Sequence, residues 1–175
     1  MCSHQDKGYF HIYTGNGKGK TTAAFGLALR AVMAGKTVYI GQFVKGIAYN
    51  ETKWAAYVPG VEIHQFGRGC FIEREPCEED VRLAEAGLKA SSEALQCGRY
   101  DLVILDELTI ALHYKLLSLE VVMEAICARA PHTEAVATGR YAPQALIDMA
   151  DIATEMKEIR HYYTKGVLAR DGIDR

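Results

Sequence analysis

The sequence predicts a three-layer α/β sandwich built on a mostly parallel central sheet. Short apolar runs alternate with longer helical patterns along the chain, residues 102–105 (LVIL) read as a strand buried on both faces, and a glycine-rich loop joins the first apolar run to the first helical one.

The elements follow in order. Residues 8–13 (GYFHIY) form an apolar strand, and residues 22–34, rich in Ala and Leu with no proline, continue as a helix. Residues 36–43 (KTVYIGQF) are β-branched and aromatic between Gly35 and Gly46, and residues 61–66 form a further short strand. Residues 77–96 carry a helical pattern with Val81, Leu83, Ala84, Leu88 and Leu95 on one side. Residues 108–129 are helical again, broken near Ser118, which can cap a second segment with Glu120 in its first turn. Residues 134–137 form a strand, 143–150 a short helix and 152–159 a last strand. No repeat or linker divides the chain, so residues 1–175 are expected to be one domain with a flexible stretch at 1–7.

Composition excludes several classes. With 49% hydrophobic and 24% charged residues the chain can bury a real core, while a net charge of -2 and the lack of a basic block argue against a nucleic-acid partner. No apolar stretch approaches a membrane span, and residues 1–7 lack a signal-peptide core, so a cytoplasmic protein is expected. The five cysteines, Cys2, Cys70, Cys77, Cys97 and Cys127, show neither a C-x-x-C pair nor metal-ligand spacing and read as reduced and mostly structural.

Residues 14–22 (TGNGKGKTT) form a phosphate-binding loop between strand and helix. Glycines at 15, 17 and 19 let backbone N–H groups approach an anion, Lys20 neutralises phosphate charge, and Thr21 offers its hydroxyl to Mg²⁺. The usual pattern has glycine where this chain has Thr14. Asp106 and Glu107 follow the buried tetrad at the carboxyl end of a central strand, where one of them can hold Mg²⁺ opposite Thr21; alternatively Asp106 only caps the next helix. Arg140, after the strand at 134–137, can reach a phosphate as a bidentate donor or lie solvated. No Ser-His-Asp order stands out among the dispersed histidines, and His64 and His113 read as polar surface or partly buried residues. These features define a Mg-nucleoside triphosphate site without naming the reaction.

Residues 14–26, 41–46 (GQFVKG), 103–109 (VILDELT), 138–140 (TGR) and 166–174 (GVLARDGID) together resemble, in order, the ATP:cob(I)alamin (corrinoid) adenosyltransferases of the CobA type. The resemblance implies a P-loop NTPase fold of the RecA-like kind. It implies transfer of the 5′-deoxyadenosyl group of ATP to the Co(I) centre of a corrinoid, with release of triphosphate and no need for a general base. It carries loop contacts to Gly15, Asn16, Gly17, Lys18, Gly19, Lys20, Thr21 and Thr22, Mg²⁺ (or Mn²⁺) ligation to Thr21 and Glu107 with Asp106 beside them, and a corrinoid edge to Gln42, Phe43 and Lys45. It further implies a homodimer and a flavin or flavodoxin-type electron donor. Two departures stand out. Relatives carry two aromatics in a G-F-x-W-E setting that help displace the lower axial ligand of cobalt, where this chain has Cys70 and Ile72 with Phe71 between them, so Phe71 is either a corrinoid contact or a core residue. Relatives also have a longer N-terminal arm over the site, so a lid here is expected from elsewhere. Phosphoryl transfer by a P-loop kinase or ATPase, and a non-catalytic nucleotide-dependent corrinoid carrier, are the alternatives.

Overall fold

The computed structural model describes residues 7–47, 49–69 and 75–174. Six strands form one sheet in the order β3-β2-β4-β5-β1-β6, every pair parallel. The strands are β1 (Phe10–Thr14), β2 (Val38–Phe43), β3 (Val61–Phe66), β4 (Leu102–Asp106), β5 (Glu134–Thr138) and β6 (Ile152–Glu155). The helices are α1 (Lys20–Met33), α2 (Glu78–Gln96), α3 (Leu108–His113), α4 (Leu119–Cys127) and α5 (Gln144–Met149), with 3-10 helices at Asn50–Ala56 and Tyr162–Lys165.

Side-chain alternation divides the interior into two cores, one on each face of the sheet. Val38 and Ile40 of β2 and Leu102 and Ile104 of β4 pack under Ala24, Ala28 and Ala31 of α1, whose small side chains let the helix lie close to the sheet. Tyr39, Phe43, Val103 and Leu105 face the other way, against Leu88 and Leu95 of α2, Leu108 of α3 and Val122 and Ile126 of α4. The aliphatics of β4 are all at most 3% exposed, and burying each one stabilises the fold by about 1.5–3 kcal/mol. A central parallel strand covered on both faces has to be this apolar.

The expected elements stand, with adjusted bounds. The break in the expected helix at 108–129 falls where Lys115 takes a left-handed φ of 57°, and the Ser118 hydroxyl accepts the Val121 N–H at 3.3 Å to start α4. α2 begins in a capping box in which the Cys77 N–H donates to the Asp80 carboxylate at 2.9 Å. The last strand ends at Glu155 rather than 159, because Met156 and Lys157 leave the sheet to pack on the glycine-rich loop. Residues 1–6 of the expected flexible start lie outside the described residues.

β5 lies between β1, which feeds the loop, and β4, which ends in Asp106. The carboxyl ends of adjacent strands therefore bring residues 14–22, 106–107 and 138–140 to one edge of the sheet.

Candidate active site

The phosphate loop closes before α1 with Gly15 at φ 97° and Gly19 at φ 112°, both in the left-handed region that glycine enters at little cost. Thr14 needs no such freedom. It is the last residue of β1, paired with Glu155 of β6, so the absent glycine is no loss. The loop glycines serve packing as well as anion approach. A Cβ at Gly15 or Gly17 would meet the Met156 carbonyl oxygen at 2.5 and 2.6 Å, and the Gly17 N–H already donates to that oxygen at 2.6 Å. Gly17 thus spends its donor on the protein, while the first-turn N–H groups of α1, at Lys20, Thr21 and Thr22, face the loop without an earlier carbonyl partner in the helix. The Lys20 ammonium folds back to donate to the carbonyls of Gly15 and Gly17 at 2.8 and 2.6 Å, and burial holds it below the ordinary lysine range.

Asp106 is the hub. Its fully buried carboxylate accepts from Thr21 Oγ1 (2.9 Å), Thr138 Oγ1 (2.7 Å), Gln42 Nε2 (3.0 Å) and Lys45 Nζ (2.7 Å). A buried carboxylate without such donors would cost several kcal/mol. Burial pushes its acidity weaker, but the Lys45 charge and the hydrogen bonds outweigh that and hold Asp106 below the ordinary carboxylate range. Glu107 has a different setting: burial and the adjacent Asp106 charge push its carboxyl up, and among the described residues that carboxylate has no hydrogen-bond or salt-bridge partner. Its backbone sits at φ 59°, fixed by an N–H donated to Thr138 Oγ1 at 3.0 Å. Asp106 therefore does not cap α3: Glu107 is the N-cap residue, and Asp106 lies in the hydrogen-bonded centre of the site.

Positive-φ residues other than glycine concentrate here. Val44, Glu107 and Tyr141 follow β2, β4 and β5, where the chain turns off the sheet into the site.

A cleft of about 610 Å³ opens over these groups, lined by Asn16, Gly17, Lys18, Gly19, Lys20, Thr21 and Thr22 of the loop, by Lys45, Glu107 and Arg140, and by the chain's C-terminal segment. Arg140 is exposed on the rim. Gly15 supports the loop from behind and does not line the cleft. The far wall is formed by residues within 161–174. Lys18 donates to the Ile173 carbonyl at 2.9 Å and to the Asp174 carboxylate, which also accepts from Tyr162 Oη and from the Arg170 N–H at 3.0 Å. The Asn50 amide donates to Asp171 at 2.7 Å. His161 lines the same wall, its Nδ1 accepting the Tyr163 N–H at 3.1 Å.

The expected corrinoid edge changes. Gln42 and Phe43 are 0% exposed: Gln42 is a ligand of Asp106 and Phe43 packs on Phe66 in the core, so neither offers surface to a macrocycle. Lys45 is turned inward onto Asp106. Phe71, with Cys70 and Ile72, lies outside the described residues. His64 stacks on Tyr39 and His113 on Tyr141, both away from the cleft lining, as expected of polar surface residues. Thr138 and Asp174 escaped the sequence reading. Thr138 belongs to the T-G-R segment whose arginine drew attention, and only the fold reveals that its hydroxyl joins the two carboxylate positions.

Sheet, loop and buried acid define a P-loop nucleotide-binding protein of the α/β class. Comparison narrows this. The sequence matches the family described as ATP:corrinoid adenosyltransferase BtuR/CobO/CobP over residues 6–174. It is 38% identical over 172 residues to the corrinoid adenosyltransferase CobA of Salmonella typhimurium, covering 98% of this chain and 88% of that protein. It is 35% identical over 174 residues to a corrinoid adenosyltransferase of Pseudomonas aeruginosa, covering 98% and 86%, and 35% identical over 172 residues to one of Escherichia coli K12, covering 98% and 88%. The chain belongs to the ATP:corrinoid adenosyltransferase family.

Proposed function

We propose that this chain transfers the 5′-deoxyadenosyl group of ATP to the Co(I) centre of a corrinoid and releases triphosphate. One observation carries the reading: the separate segments that resemble the family, from the loop to residues 166–174, converge on a single cleft. In the reaction the Co(I) electron pair forms the cobalt–carbon bond at C5′, cobalt becomes Co(III), and the carbon–oxygen pair leaves with the triphosphate. Co(I) supplies the nucleophilicity, so the protein's task is to orient the nucleotide and stabilise the departing charge. Lys20, the first-turn N–H groups of α1 and Arg140 are suited to that charge.

The donor set fits Mg²⁺ (or Mn²⁺): Thr21 Oγ1 in the first turn of α1 and Asp106 and Glu107 at the end of β4 are hard oxygens on one edge of the sheet, and the Glu107 carboxylate has no hydrogen-bond or salt-bridge partner among the described residues. Thr21 and Glu107 would hold the ion, with Asp106 steadying Thr21, and the bound ion would add positive charge next to the leaving group. Two further proposals concern partners. A flavin or flavodoxin-type donor would supply the electron that makes Co(I). A homodimer would cover the edge strand β6, all of whose residues are exposed. Among the described residues no helix is long and apolar enough to cross a membrane, in keeping with a proposed cytoplasmic location.

Incubation with ATP, Mg²⁺ and chemically reduced corrinoid should yield adenosylated corrinoid and inorganic triphosphate, resolved by mass spectrometry and ion chromatography. Formation of ADP or AMP in place of triphosphate would refute the reading in favour of phosphoryl transfer.

A further inference from the structure

Lys45 is placed with unusual care. The preceding residue, Val44, has φ 52°, a left-handed conformation that a β-branched side chain rarely adopts. The turn is locked by the Val44 N–H donating to the Phe66 carbonyl at 3.1 Å, and by glycines at 46 and 67. A Cβ on Gly46 would come within 2.5 Å of the Arg68 carbonyl carbon, and one on Gly67 within 2.5 Å of that of Val44. This turn carries the Lys45 side chain inward until it is 15% exposed. Its Nζ lies 2.7 Å from Asp106 Oδ2, 3.5 Å from Thr21 Oγ1 and 5.5 Å from the centre of the Tyr49 ring.

An ammonium held this closely stands 3.5 Å from Thr21 Oγ1, one of the oxygens that the metal reading assigns to Mg²⁺, and 2.7 Å from the Asp106 carboxylate that steadies it. An ionised, fully buried Asp106 needs a cation, and Lys45, 2.7 Å away, is placed to be that cation. Two cations near one set of oxygens repel each other, so arrival of one is linked to withdrawal of the other, and the linkage is reciprocal.

We infer that Lys45 is a stand-in cation and a positioning residue: it keeps Asp106 and Thr21 in the receiving arrangement while the site is empty and yields to the metal–nucleotide complex. The inference rests on the metal reading of Thr21 and Glu107. It has a specific consequence: Lys45 suppresses binding of a bare divalent ion, so metal and ATP enter together.

Mn²⁺ binding followed by electron paramagnetic resonance tests this, with circular dichroism reporting the fold. Without ATP, Lys45→Met and Lys45→Gln should bind Mn²⁺ at least about tenfold more tightly than the wild type, whereas Lys45→Arg, which keeps the charge, should stay within about twofold. Folded neutral variants that bind no more tightly, or an arginine variant that matches them, would overturn the inference. An independent arm uses the wild type labelled with ¹³C-lysine: the Lys45 ε-methylene resonance, assigned by its loss in Lys45→Arg, should shift when Mg²⁺ and ATP are added together. An unmoved resonance overturns the inference even if the neutral variants fail to fold. The metal reading has its own test, since Thr21→Ala should weaken ATP-dependent Mn²⁺ binding in a Lys45 background. If that variant behaves like wild type, the metal assignment has failed; if it responds and the Lys45 variants do not, the stand-in role alone has failed.

Discussion

Replacing Thr138 by valine removes one oxygen and almost no volume. That oxygen donates to Asp106 at 2.7 Å and accepts the Glu107 N–H at 3.0 Å, and the residue is completely buried. A hydrogen bond to a charged acceptor contributes about 1.5–3 kcal/mol, and leaving a largely enclosed N–H unpaired costs about 1 kcal/mol or more. Because the valine methyl fills the vacated space there is no cavity contribution, and the expected loss is about 3 kcal/mol. For a chain of this length that lowers the melting temperature by roughly 6–12 °C. Thr138→Ser supplies the control. It keeps the hydroxyl and loses one buried methyl, which should cost about 1 kcal/mol and roughly 2–4 °C. Differential scanning calorimetry with urea titration at neutral pH measures both. If the valine variant melts within a degree or two of the serine variant, the hydroxyl does not hold the two acidic positions together and the account of the site centre is wrong.

Gly17→Ala places a Cβ 2.6 Å from the Met156 carbonyl oxygen. It should lower stability by about 1–3 kcal/mol and weaken ATP binding at least about tenfold by isothermal titration calorimetry; wild-type values in both would contradict the packing role of the loop glycines. Asp174→Ala removes the acceptor shared by Lys18, Tyr162 and Arg170, so limited proteolysis within residues 161–174 should accelerate while the melting temperature moves little, because the clasp ties down a surface segment and its two ion pairs are exposed; unchanged cleavage would contradict the clasp. Asp101 accepts from the Thr37 N–H at 2.8 Å; burial works against its charge, but the Thr37 hydrogen bonds prevail and hold its carboxyl below the ordinary range. Its stabilising effect is therefore present above the unfolded value and lost as pH falls through the lower folded one. The gap in melting temperature between wild type and Asp101→Asn should be steady near neutrality and shrink below about pH 4, and a gap that grows on acidification would reverse the assignment.

The layers were legible because burial on both faces leaves a plain mark: residues 102–105 could hardly be anything but a central strand. The loop was legible for a similar reason, since each residue type answers a local requirement of anion binding. The 3-10 helix Asn50–Ala56 was not, having no residue buried and no apolar period. Gln42 and Phe43 were carried to the corrinoid edge by the GQFVKG resemblance, and a linear segment does not show which side chains of a strand covered on both faces stay buried. Lys45 does line the cleft, but its inward turn onto Asp106 depends on the left-handed Val44, and nothing in a valine announces that conformation. Thr138 and Asp174 act across 32 and 156 positions of sequence separation, and partners so distant exist only once the sheet has ordered them.

The C-terminal wall has a consequence for the order in which the chain is made. The phosphate loop is complete once residue 22 has been added, whereas residues 161–174, which form the other side of the cleft, follow all six strands. A nascent chain that has not yet reached residue 161 owns the anion-binding loop but not the pocket. β6 must dock on β1, and the last turn must reach Lys18, before nucleotide can be enclosed. Stabilisation by ATP within the cleft is therefore available only once residues 161–174 are in place, and every earlier stage of folding has to succeed without it.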